Sequence, residues 1–259
     1  MTASDMTSFD EVYGLPDPRG YFAQLGPYEY QAPHHAQRVF RELAAELPPG
    51  ERVMLDICCS YGINAALVNH DVTLDELYQR YTSPKAAELS TAELIEWDRE
   101  FYASRRLPEA VGSIGVDVSR PAVSYALAVG LLDEGHCENL ESAEPGDELR
   151  RAAAGAGLIT VTGGAAFLTE RTFGRLLSAV GHPLPVAAFV LRTCDFTGVV
   201  ACLESYGLTV ERSAETYPQR RFTDEGEQRH AVEAVIALGE DPAGKESAGW
   251  FHTRLHLGR

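Results

Sequence analysis

The sequence predicts a doubly wound α/β fold with a mostly parallel sheet, on three observations. Short apolar runs recur along the chain, separated by stretches that keep the 3.6-residue apolar period of a helix. The runs Arg52–Ile57, Ser113–Val118, Leu158–Thr162 and Val186–Leu191 are continuously apolar or small, the mark of strands covered on both faces. The last two strand-like segments, Leu208–Arg212 and Trp250–Leu257, alternate polar with apolar residues, which suits a less buried sheet edge.

Taken in order, residues 1–32 are rich in Tyr, Pro and Gly and predict irregular chain with one or two short helices. An amphipathic helix follows, with Phe40, Leu43, Ala44 and Leu47 on one face and Pro48-Pro49-Gly50 as its stop. The strand RVMLDI leads directly into a helical turn, Gly62–Val68. Residues 71–110 then read as helices, opened by the capping-box pairs Thr73 with Glu76 and Ser90 with Glu93. The strand SIGVDV precedes a helix from Arg120 to Leu132 and an irregular acidic piece, Cys137–Glu144. After LITVT, Thr169 caps a helix carrying Phe173, Leu176, Leu177 and Val180, closed by Gly181. The strand VAAFVL is followed by a helix that Asp195 caps and Gly207 closes. A last helix, Thr223–Leu238, separates the two closing strands.

The chain has 259 residues, enough for one large α/β domain with a cap. Against 22 Lys and Arg stand 38 Asp and Glu, a net charge of −16, and that field repels phosphate backbones, so nucleic acid is not an expected partner. No apolar run approaches the roughly 18 to 20 residues of a membrane helix, and the segment MTASDMTSFDEVYG has neither the basic stretch nor the apolar core of a signal peptide. Five cysteines, none in a CxxC, predict neither a disulfide framework nor a zinc site, and point to a reducing cytoplasm.

The segment that carries chemistry is Val53-Met-Leu-Asp56-Ile-Cys58-Cys59-Ser60-Tyr61-Gly62-Ile63-Asn64. A strand ends in an acid, a turn of mostly small residues follows, and a helix N-terminus offers its unpaired N–H groups. In dinucleotide enzymes this turn reads GxGxxG. Here Cys58, Ser60 and Gly62 hold the glycine positions, which suits a ligand without a diphosphate.

On this motif and on its strand order, the chain over about residues 36–257 resembles the class I S-adenosylmethionine-dependent methyltransferases. The resemblance implies a seven-stranded sheet with an antiparallel last strand, a helical N-terminal lid over 1–50, and an S-adenosylmethionine-binding Rossmann-like domain over 51–259. It implies that Asp117, ending SIGVDV, takes the ribose hydroxyls beside Val118, and that Asp56, Cys58, Ser60 and Gly62 hold the methionine end. Asn139 and Leu140 in CENLE are the expected adenine contacts, and Thr162 and Gly163 the cofactor-facing wall. Asp56 and Asp117 lie 61 positions apart, against about 20 in a plain βαβ unit, so residues 71–110 read as an insertion capping the substrate.

The implied activity is methyl transfer by in-line displacement to a small metabolite through a hydroxyl, carboxylate or amine, in a monomer or homodimer. The Asn-Pro-Pro-aromatic signature of base and amino-group methylation is absent after LITVT, where TGGAAF stands, and no metal-ligand cluster is apparent. By placement, His34, His35 and Tyr30 are the catalytic candidates, with Tyr21, Tyr28, Tyr78 and Trp97 as substrate contacts and Arg220 as a carboxylate clamp. His252 and His256 are expected to face solvent. The alternatives are non-methyl S-adenosylmethionine chemistry, by cyclisation or aminocarboxypropyl transfer, and a non-catalytic interaction module. The YxxxK spelled by Tyr81–Lys85 contains Pro84, which interrupts the helix that a short-chain dehydrogenase needs there.

Overall fold

The computed structural model describes residues 6–259, so the first five residues of the expected lid lie outside the described residues. Eight strands form one sheet: β1 (Val53–Ile57), β2 (Gly112–Asp117), β3 (Glu134–Cys137), β4 (Leu158–Val161), β5 (Val186–Leu191), β6 (Val210–Arg212), β7 (Tyr217–Arg221) and β8 (Trp250–Gly258). Their order is β3-β2-β1-β4-β5-β8-β6, with β7 also paired to β8. The first five are parallel to one another and β8 runs antiparallel to its neighbours. The order 3-2-1-4-5 is that of a doubly wound Rossmann-like sheet, with its switch point between β1 and β4.

The helices are α1 (Asp10–Tyr13), α2 (Arg19–Leu25), α3 (Ala32–Glu46), α4 (Ile63–Asn69), α5 (Leu74–Tyr81), α6 (Pro84–Glu88), α7 (Thr91–Ala103), α8 (Arg120–Ala128), α9 (Asp147–Ala153), α10 (Glu170–Val180), α11 (Thr197–Ser205) and α12 (Glu225–Ala237). Successive residues of a strand face opposite ways, and the core follows that rule. Met54 packs with α3, α4 and α8 on one face, while Leu55 and Ile57 pack with α9, α10 and α11 on the other. Burying both faces is what made these strands continuously apolar.

Both capping boxes form as the sequence predicts, Thr73 with Glu76 and Ser90 with Glu93. The insertion they open is fixed by a buried charge. Asp98, fully buried on α7, pairs with Arg80 at 2.7 Å and accepts hydroxyls from Tyr81 and, across the junction, from Tyr125 of α8. Arg80 in turn lies 3.3 Å from the centre of the Trp97 ring. Tyr81 ends α5 and Lys85 belongs to α6, so the YxxxK spelling is split between two helices.

Two strand expectations change. β7 is an eighth strand beyond the seven expected, and β8 is an interior strand, flanked by β5 on one side and by β6 and β7 on the other. His252 and His256 are therefore half-buried and not solvent-facing, and their Nδ1 atoms have no hydrogen-bond partner.

Candidate active site

The turn after β1 sits at the switch point, and its backbone settles what its sequence left open. Cys58 and Ser60 adopt φ of 56° and 52°, and Gly62 a φ of 77°. The first two are left-handed conformations that cost an L-residue about 1–3 kcal/mol each and cluster at functional sites. The chain thus keeps the path of a glycine-rich turn with side chains on it. Gly62 is the N-cap of α4, whose seven residues are all buried.

Two carboxylates organise this turn. Asp117, partly exposed at the end of β2, accepts the Ser60 N–H at 2.9 Å with one oxygen and the Ser119 N–H at 2.8 Å with the other. Beside it Val118 is 69% exposed, an apolar side chain left uncovered next to an acid. Asp56 is fully buried and accepts Asn64 Nδ2 at 2.9 Å and Thr160 Oγ1 at 2.8 Å. Burial outweighs those two bonds and pushes its pKa up to about 7. Asn64 also reaches Thr162 Oγ1 at 3.2 Å, so Asp56 ties β1 to α4 and to the end of β4. It faces that network, not an opening.

The N-terminal segment closes over the turn. Tyr61 Oη shares its one proton between the Val12 carbonyl at 2.6 Å and the Leu15 carbonyl at 2.9 Å, and Ser119 Oγ donates to the Tyr13 carbonyl. Tyr21 is buried edge-on to Tyr13, Tyr30 and Tyr61, with centroids 6.0, 6.2 and 6.3 Å away. A side chain on Gly163 would strike the Tyr30 hydroxyl, and one on Gly164 would strike Cys58. The wall after β4 therefore packs against protein groups of the lid and the turn. Burial raises the thiols of Cys58 and Cys59, which are turn fillers and not thiolates.

A cavity of about 530 Å³ opens beside this lid, between the Gly26–His34 stretch and α5. Tyr30, His34 and Tyr78 line it, and the Tyr78 hydroxyl donates to the Tyr30 carbonyl at 2.8 Å. Three predicted contacts lie together here. His35 points elsewhere: its Nε2 is 3.1 Å from Gln31 Oε1, and burial together with His34 lowers its pKa to about 4.

Other candidates are placed differently. Leu140 is buried in the core against α9 and α10, so it is no adenine platform, and Asn139 accepts the Glu141 N–H at 3.0 Å in an exposed turn. Trp97 is stacked under Arg80 and Lys85, outside the cavity. Tyr28 packs edge-on against Phe9 and also lies outside it. Arg220 is 3% exposed and held by Glu227 through two bonds of 2.9 and 2.6 Å, so it has no free face for a carboxylate. A second cavity of about 340 Å³ lies far along the sheet, by β5, β6 and β8, where Arg192 and Arg254 are already paired with Glu240. No metal-binding group of His, Cys, Asp or Glu occurs among the described residues.

Sequence reading missed Tyr13, Tyr61, Asn64 and Ser119. Tyr61 alone carried a signal, as a bulky residue in a turn of small ones.

The residues of the turn fit an S-adenosylmethionine group on two observations. Ser60 Oγ is buried beside Asp117 with no hydrogen-bond partner, and Val118 is uncovered on the other side of that acid. No family model and no curated protein matches the chain. Among solved structures, geranyl diphosphate methyltransferase in complex with S-adenosylmethionine is 9% identical, with a TM-score of 0.45 over 98% of this chain and 95% of its own. A methyltransferase from Thiobacillus denitrificans in complex with S-adenosylhomocysteine is 11% identical, with a TM-score of 0.42 over 98% and 99%. A TehB-like methyltransferase from Corynebacterium glutamicum is 13% identical, with a TM-score of 0.40 over 88% and 98%.

Proposed function

We propose that this chain is an S-adenosylmethionine-dependent methyltransferase acting on a small molecule. The observation that carries the reading is the left-handed turn Cys58–Gly62 held to the strand-end acid Asp117. A backbone strained at two non-glycine positions, anchored by an acid at the switch point, is a binding device. Asp117 would accept the ribose hydroxyls, Val118 would pack on the adenine, and the turn at Cys58, Ser60 and Gly62 would hold the methionine end. When bound, the cofactor supplies a methyl group on a sulfonium, which the acceptor's lone pair takes as the carbon–sulfur bond breaks with its electrons left on sulfur.

The chain's own residues then position and desolvate. Tyr13, Tyr21, Tyr30 and Tyr61 form an aromatic lid over the turn, an environment favourable to a cation. Burial raises the Tyr30 phenol, so that hydroxyl stays protonated and serves as a hydrogen-bond donor. His34 is the imidazole on the cavity wall and the group placed to take a proton from the acceptor. His35, bonded to Gln31, orients the start of α3.

Calorimetry with S-adenosylmethionine and S-adenosylhomocysteine on the purified chain tests this. Micromolar binding, with S-adenosylhomocysteine and not methylthioadenosine as the product of turnover, is the expected result. Absence of binding by both ligands would sink the reading.

A further inference from the structure

The cavity beside the lid has a chemistry that narrows the acceptor. Its wall carries the carboxylates of Glu29 and Asp75, the rings of Tyr30 and Tyr78, and the amides of Gln31 and Gln79, with no lysine or arginine. We infer that this cavity selects an amine as the methyl acceptor, held as its ammonium and methylated as the free amine once one N–H proton has passed to His34 on the cavity wall, an inference that rests on the methyltransferase reading above.

Four observations converge on it. Carboxylates and aromatic faces together are how proteins hold an ammonium group, by charge and by the ring quadrupole. Arg221 pairs with Glu29 from outside the cavity, and both side chains are about half exposed. Such a surface pair is worth little, so Glu29 is cheaply released to a ligand. Glu29 also sits at φ 53°, a left-handed conformation that a glutamate holds only under constraint. The strain thus falls on a residue that lines the cavity.

The competing acceptor classes fare worse. A carboxylate would meet two like charges, and the nearest buried guanidinium, Arg220, is saturated by Glu227. A neutral alcohol would gain from the amides but not from the acids. The chain's net charge of −16 further raises the local concentration of cations at its surface. Tyr30 lines the cavity and its hydroxyl abuts Gly163 after β4, so this one side chain stands between a molecule here and the switch point and must turn aside for transfer.

The test uses three matched probes, benzylamine, benzyl alcohol and benzoate, titrated into the full chain by calorimetry with and without saturating S-adenosylhomocysteine. Benzylamine is expected to bind about tenfold or more tighter than benzyl alcohol, as one ion pair and one cation–π contact supply, and benzoate not measurably. Asp75→Asn and Glu29→Gln should each weaken benzylamine several-fold and leave benzyl alcohol unchanged. Asp75 lies in the first turn of α5, so a circular dichroism melt accompanies that variant to show the helix intact. Equal binding of the three probes, preference for benzoate, no amine binding, or amine binding indifferent to both variants overturns the inference. Amine selectivity in a chain that does not bind S-adenosylhomocysteine would refute the methyltransferase reading separately, because the cofactor titration is read on its own.

Discussion

Asp117 Oδ2 accepts the backbone N–H of Ser60 at 2.9 Å, across 57 residues of sequence. That one bond joins the end of β2 to the turn after β1, and it holds Ser60 in a conformation its side chain disfavours. The same carboxylate is the proposed ribose acceptor, and on that reading shaping the turn and binding the cofactor would fall to one group.

Asp117→Ala should therefore cost more than a simple contact. Hydrogen bonds to a charged group are worth about 1.5–3 kcal/mol each, so S-adenosylhomocysteine affinity should fall by roughly tenfold to more than a hundredfold. Asp117→Asn, which keeps one acceptor, should lie between. Calorimetry on both variants checks the order, with circular dichroism confirming the fold; wild-type affinity in the alanine variant would remove Asp117 from the site.

Asp56 makes a prediction about pH. Its pKa is raised to about 7 by burial, against an ordinary value of 3.8. An acid whose folded pKa is raised binds more protons folded than unfolded. Its contribution is most favourable at acid pH and is lost as pH rises from about 4 to about 7. Each unit of such a shift is about 1.4 kcal/mol. Asp56→Asn cannot ionise, so its melting temperature relative to wild type should climb between pH 5 and pH 8. Paired thermal melts across that range decide it. A constant difference between the two proteins would show that Asp56 ionises normally.

How much of this was legible in the sequence depends on where each residue's partner lies. β1, β2, β4 and β5 are apolar runs because both their faces are covered, so composition alone marks them. β3 reads Glu-Gly-His-Cys and β7 reads Tyr-Pro-Gln-Arg-Arg, and neither has an apolar run to find. β7 is a strand because β8 is long enough to pair β7 along its first half and β6 along its second. In the site, Asp117 announced itself by ending a strand. Leu140 looked like a loop residue near a ligand, and only the packing of α9 and α10 shows it as core. Trp97 and Arg220 misled for a related reason. Their partners, Arg80 and Glu227, are ion-pair and stacking choices made in three dimensions, with no spacing rule to reveal them.

Arg220 yields a stability prediction in place of the substrate clamp. Arg220 and Glu227 are both nearly fully buried, and Glu227 also accepts the N–H groups of Thr7 and Thr223. Removing one partner leaves a buried charge uncompensated, at a cost of about 3–5 kcal/mol. Arg220→Ala should be strongly destabilised, whereas Arg220→Ala with Glu227→Gln should recover part of the loss. Urea unfolding of the two variants separates these outcomes, and a single variant as stable as wild type would contradict the pairing.

Tyr61 links the turn to the lid, and its hydroxyl is the simplest handle on lid opening. Tyr61→Phe keeps the buried ring and its packing against Tyr21 and Tyr125 but removes the bonds to the carbonyls of Val12 and Leu15. The phenol has one proton, shared between the two carbonyls, and that shared hydrogen bond is worth about 0.5–1.5 kcal/mol. Because both acceptors lie in residues 12–15, that loss should appear as local opening and not as global unfolding. Amide exchange measured by mass spectrometry should speed up several-fold over residues 9–25, while α4 and the central strands keep their protection. If the lid must open to admit a ligand, the same variant should bind S-adenosylhomocysteine with a faster on-rate. Unchanged exchange over residues 9–25 would mean that the aromatic contacts of Tyr21, and not the Tyr61 hydroxyl, hold the segment closed.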